Sequence, residues 1–66
     1  MKVTKVYKGH YEVAKGDITY AIIFTESDEP CNEKWNIYIV REGRHDWTGC
    51  GSTKRQCVNA VKNVNH

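Results

Sequence analysis

Five consecutive apolar residues, Tyr20-Ala21-Ile22-Ile23-Phe24, constrain this chain more than any other feature. An apolar run of that length, bounded by turn signals, fits a strand covered on both faces. Before it comes Lys15-Gly16-Asp17, where the glycine supplies the positive φ of a tight turn. After it comes an acidic, polar stretch over residues 26–33. Pro30 within that stretch lacks the amide donor that a central strand would use.

The remaining pattern is mostly of the same kind. Trp35, Ile37 and Ile39 alternate with Asn36, Tyr38 and Val40, which predicts a second strand with two distinct faces. Val3, Thr4, Val6 and Tyr7 predict a first strand that bends at Gly9 and continues or restarts through Tyr11 and Val13. Glu42-Gly43-Arg44 turns the chain, and Asp46, Trp47 and Thr48 are expected to form a short last strand. Gly49-Cys50-Gly51-Ser52 breaks the pattern. Thr53 followed by Gln56 is the signature of a capping box, so a helix is expected from about residue 53. Cys57, Ala60, Val61 and Val64 recur at helical spacing and give it one apolar stripe. The expected fold is α+β: a three- to four-stranded antiparallel sheet with one C-terminal helix packed on one face, as a single domain over residues 1–66.

A helix shields one face of a sheet only. Ile22, Phe24, Trp35, Ile37 and Ile39 suffice for the core beneath it. Ile23, Tyr38 and Val40 point the other way and are the expected partner-binding residues, in a homodimer or against a target protein. Shelter under the acidic stretch is the competing role for them. A chain of 66 residues buries only about 60% of its unfolded surface, which leaves little to spare for a second layer.

Charge is unevenly placed. The net charge is +2, but residues 1–15 carry +3, residues 16–46 carry −4 and residues 47–66 carry +3. The two basic ends form one patch if the fold brings them together. The second basic end contains Gly51, Thr53, Lys54 and Arg55, a glycine-containing loop that enters a helix N-terminus. Unpaired amides there favour an anion, so these four are candidate anion or nucleic-acid contacts, or else a plain helix cap.

No constellation in the sequence fills the roles of a catalytic mechanism. His45 and Asp46 are adjacent, which does not aim one at the other, and no His is placed to activate Cys50. No catalytic residue, metal site or cofactor is therefore expected, and the chain reads as a non-enzyme. Cys31, Cys50 and Cys57 lack the close spacing of a zinc knuckle. No apolar segment is long enough to span a membrane, and Lys2-Val3-Thr4-Lys5 is not followed by a signal-peptide core. The expected address is the cytoplasm, the host's for a phage protein, with all three thiols reduced.

Lys34-Trp35-Asn36-Ile37-Tyr38-Ile39, Glu42-Gly43-Arg44 and the run from Ser52 to Ala60 resemble two related patterns. One is the three-stranded-sheet-plus-helix DNA-binding domain of plant ethylene-response factors. The other is the arm-site-binding domain of phage-type integrases. Their sheets lie in the DNA major groove, and by position the resemblance implies Trp35, Arg41 and Arg44 as contacts. The helix start also resembles the last helix of double-stranded-RNA-binding domains, although Val58 stands where that family has a further Lys. The leading expectation is a small non-enzymatic interaction protein, a phage or mobile-element accessory or inhibitor that docks on a host protein. The alternatives are a nucleic-acid-binding domain using the sheet and the basic helix start, and a binder of a small phosphorylated ligand at residues 49–55.

Overall fold

The computed structural model describes residues 1–26 and 33–64. Five strands, β1 (Lys2–Tyr7), β2 (His10–Lys15), β3 (Ile18–Phe24), β4 (Trp35–Arg41) and β5 (Arg44–Gly51), precede one helix, α1 (Lys54–Lys62). The strands form one antiparallel meander in the order β1-β2-β3-β4-β5. The apolar run lies in β3, the middle strand, as its composition requires.

The sheet departs from the expected three or four strands in two places, and the first adds the fifth strand. Gly9 takes a φ of 85°, so the chain folds back there and residues 2–15 make a hairpin instead of one bent strand. At the other edge, residues 49–51 continue β5 instead of breaking it. A Cβ at Gly49 would lie 3.7 Å from Ile37 Cδ1, and one at Gly51 would lie 3.1 Å from Cys57 Sγ. Gly51 serves close packing beneath the helix, whereas a Cβ at Gly49 would make only ordinary van der Waals contact. The β4–β5 turn places both Glu42 and Gly43 at positive φ, 47° and 80°, the requirement of a type I′ hairpin. The expected acidic connection at residues 26–33 falls mostly outside the described residues.

Register then assigns the faces, because directly paired residues share one. Tyr11, Ile22 and Ile37 share a row, as do Val13, Tyr20 and Ile39. These rows lie under α1. Val13, Tyr20, Ile22 and Ile37 are buried with Cys57 and Val61 of the helix, and Tyr11, Ile18, Trp35, Ile39 and Val58 pack around them. The predicted facing of Ile37 and Ile39 toward the helix is observed. The helical stripe is rotated from the expected one. Val58 joins the core, whereas Ala60 and Val64 are exposed.

Both ends of α1 are tied down. Thr53 is the N-cap, and its Oγ1 accepts from the Gln56 amide at 3.1 Å. Gln56 Oε1 reaches back to accept from the amide and hydroxyl of Ser52, at 2.9 and 2.7 Å. At the far end, Lys15 Nζ donates to the carbonyls of Val61 at 3.0 Å and Lys62 at 2.8 Å, and also to that of Val64. A cation at this end meets the negative pole of the helix and its unpaired carbonyls together.

Candidate partner-binding face

The sheet face away from α1 is built from the alternate residues of each strand. One row runs Thr4, Glu12, Ala21, Tyr38 and Trp47. Lys2, Ala14, Thr19, Val40 and His45 form the row on one side of it. Tyr7, His10, Ile23, Asn36 and Cys50 form the row on the other. Ile23, Tyr38 and Val40 are thus on one face, in three successive rows, and each is half-buried.

Trp47 is a large exposed apolar residue of this face, as is Tyr7 beside His10, and neither was among the residues anticipated. Trp47 is 45% exposed, yet its Nε1–H donates to Asn36 Oδ1 at 3.0 Å. Asn36 itself is fully buried, and its Nδ2 has no hydrogen-bond partner. The indole is therefore held at a fixed angle over the sheet while its ring meets solvent. Beside it, the Tyr38 and His45 rings meet edge-on with centroids 6.2 Å apart. A β-bulge explains why Trp47 escaped the alternation. The register shifts between Ile37, opposite Gly49, and Tyr38, opposite Trp47, so Thr48 is an extra residue.

His10 occupies the outer row with both ring nitrogens buried and unpartnered, against the edge of the Tyr7 ring at 5.0 Å. Cys50 is disulfide-bonded, so the expectation of three reduced thiols does not hold. Cys57 is free, buried under the helix, and on the opposite face from Cys50. Burial, with the Glu33 carboxylate nearby, pushes its thiol up to about 11.

The nucleic-acid candidates are not gathered by the fold. Trp35 and Arg41 lie at opposite ends of β4, and Arg44 pairs with Arg41 at the hairpin tip. By alternation Trp35 and Arg41 belong to the helix-covered face, where Trp35 packs on the core. A sheet that enters a DNA groove has to use its uncovered face. The loop at residues 51–55 is consumed locally. Gly51 is buried against Cys57, the Thr53 hydroxyl is taken by Gln56, and Lys54 Nζ sits 4.4 Å above the Tyr11 ring. Arg55 remains exposed.

Concavities open on the helix side among the described residues. One, of about 230 Å3, lies between the C-terminal half of α1 and the sheet, lined by Tyr20, Ile37, Ile39, Ala60, Val61 and Val64. Another is an open groove of about 590 Å3 lined by Lys8, Gly9, Tyr11, Phe24, Glu26 and Trp35. In the groove the Trp35 ring centroid is 5.3 Å from that of Phe24 and 6.2 Å from that of Tyr11. The two basic ends of the chain do meet, since Lys54 lies over β2 and Lys15 clamps α1. Lys15 is nevertheless spent on helix carbonyls. No described helix is long and apolar enough to cross a membrane. No protein-family model matches the chain, and neither a curated protein nor a solved structure does.

Proposed function

We propose that this chain is a small non-enzymatic binding protein that docks a protein partner on the helix-free face of its sheet. The observation that carries the reading is Trp47: a large ring, nearly half exposed, with its only polar atom already satisfied by Asn36. A fixed aromatic anchor of that kind loses little conformational entropy on binding, and aromatic anchors dominate interface energies. Tyr38, Val40 and Ile23 extend the apolar surface around it, and His45, Glu12 and Lys2 supply a polar rim. Accessory and inhibitor proteins of phage and mobile elements are small enough to work by such a face alone.

The test is capture from a nuclease-treated lysate of the source organism, comparing the wild type with Tyr38→Asp/Val40→Asp. The helix-side variant Arg55→Glu serves as control. The proposal expects one captured protein that Arg55→Glu retains and the double variant loses. Capture that depends on nucleic acid, or that the double variant retains, contradicts it.

A second reading is supported by the aromatic groove. Tyr11, Phe24 and Trp35 with Lys8 and Lys54 combine stacking rings and cations, the elements of single-stranded nucleic-acid binding. Glu26 on its wall opposes an anionic ligand. Binding to a labelled oligonucleotide that falls steeply with salt would favour this reading over protein docking.

A further inference from the structure

We propose that the aromatic groove beside the start of α1 holds a guanine base of a single nucleic-acid strand, with the Glu26 carboxylate reading its Watson–Crick edge and Lys8 and Lys54 meeting the strand's phosphates. The inference rests on the groove reading above and is independent of docking on the opposite face.

The groove follows from one row of the sheet. Phe24 pairs with Trp35, and Trp35 pairs with Gly51. On the far side of Phe24, its amide donates to the Gly9 carbonyl at 2.7 Å. A glycine thus flanks the two rings on each side, and neither flank of the row adds a side chain of its own. The Trp35 and Phe24 planes are 61° apart, and the Trp35 and Tyr11 planes 45° apart. Tilted in this way, the rings are not stacked face to face on one another. Phe24 remains 43% exposed, and a flat base stacks on what it exposes.

Stacking accepts any base, so selection falls to Glu26. Its backbone is held on the groove wall. The Thr25 amide donates to the Lys34 carbonyl at 2.8 Å, and Lys34 Nζ donates to the Glu26 carbonyl at 2.7 Å. A carboxylate only accepts hydrogen bonds, through two oxygens side by side. Among the bases, guanine alone presents two adjacent donors, N1–H and N2–H, on its Watson–Crick edge. Adenine and cytosine set an acceptor beside their amine, and thymine and uracil set one N–H between two carbonyls. A single strand leaves that edge free to be read. The carboxylate that opposes a phosphate therefore suits the base. The phosphates are met by Lys8, which lines the groove, and by Lys54, whose Nζ lies 4.4 Å above the Tyr11 ring. A quaternary ammonium ion also suits aromatic rings beside a carboxylate, but the same two lysines repel it.

The test is fluorescence anisotropy with labelled short thymidine strands that carry one central guanine, hypoxanthine, adenine or cytosine. The guanine strand should bind about tenfold more tightly than the adenine and cytosine strands, with a steep loss in salt. Hypoxanthine keeps N1–H and lacks the 2-amino group, so its strand should fall between. Glu26→Gln should bring the strands to within about twofold of one another. Lys8→Gln should weaken all of them alike and lower the salt slope by about one. Phe24→Ala, with its fold checked by circular dichroism, should also weaken all of them. In a nitrogen–proton correlation spectrum the guanine strand should move the Trp35 indole signal and leave that of Trp47 in place. Failure of every strand to bind overturns this inference and the groove reading together. Binding without a guanine preference, or a preference that Glu26→Gln retains, overturns the inference and leaves the groove reading standing. A Trp35 signal that moves with tetramethylammonium chloride and not with the guanine strand overturns both in favour of a cation cage.

Discussion

Lys15 shows how a single residue acquires a role that no local pattern announces. In sequence it is one more polar residue before a Gly16-Asp17 turn. In the fold its ammonium closes the C-terminal end of α1, 46 positions away, by donating to the carbonyls of Val61 and Lys62. Only a tertiary contact could reveal it. Replacing Lys15 with Met keeps the aliphatic stem and removes the charge, and should cost about 1–2 kcal/mol in urea unfolding, with a loss that shrinks at high salt. Cys57 was legible as a small apolar helix residue, and its titration follows from that burial. The thiol sits above its ordinary value, at about 11, so the folded state holds the proton more tightly than the unfolded chain. Its contribution is complete below about pH 9 and is lost as pH rises through about 11. Wild-type stability should thus fall between pH 9 and 11 by about 2 kcal/mol more than that of Cys57→Ala, measured by denaturation across that range.

At the scale of elements, the signals that worked were those with a backbone mechanism. Thr53 and Gln56 announced the helix start, and Thr53 is the N-cap, although Gln56 bonds back to Ser52 rather than to Thr53. Thr53→Ala should therefore destabilise by about 1 kcal/mol, read from the urea midpoint. The signals that failed involved glycine. Gly9 and Gly51 look alike in sequence, as interruptions, but the first reverses the chain and the second lets it run straight beneath Cys57. A positive φ and a close approach call for the same residue. The variants Gly9→Ala and Gly51→Ala separate the two causes. Gly9→Ala carries strain from its φ of 85° with ordinary space around it. At Gly51 the new methyl would crowd Cys57 Sγ at 3.1 Å. Adding Cys57→Ala should rescue Gly51→Ala and leave Gly9→Ala unchanged, by a double-mutant cycle on unfolding free energy. The helical stripe is also rotated. Periodicity marks Cys57, Ala60, Val61 and Val64, but Val58 packs against the buried core while Ala60 stays exposed beside an apolar cleft.

For the whole molecule, the deciding fact is that one helix serves a five-stranded sheet. That inequality was readable as a count of faces, and it placed Ile23, Tyr38 and Val40 away from the helix. The resemblance to sheet-plus-helix DNA-binding domains pointed instead to Trp35, Arg41 and Arg44; alternation puts Trp35 and Arg41 on the covered side at opposite ends of β4, Trp35 packs on the core, and Arg44 pairs with Arg41 from β5. What the sequence concealed was the placement of Trp47. The bulge at Thr48 brings Trp47 opposite Tyr38, and no run of alternating residues contains an instruction to skip one. Substitution at Tyr38 and Val40 should disturb the two faces unequally. Tyr38→Asp/Val40→Asp should remain folded by circular dichroism, whereas Ile37→Ala, in the core between them, should lose about 2–5 kcal/mol and unfold much of the population.

The two tryptophans offer the most direct test, since each belongs to one face. Trp47 tops the helix-free side with its indole N–H on Asn36, and Trp35 lines the aromatic groove on the helix side. A nitrogen–proton correlation spectrum resolves one indole signal from each, and Trp47→Phe assigns them. Titrated with the captured protein partner, the Trp47 indole signal should shift or broaden while that of Trp35 stays in place. Movement of the Trp35 signal alone would contradict docking on the helix-free face and move the binding site to the groove.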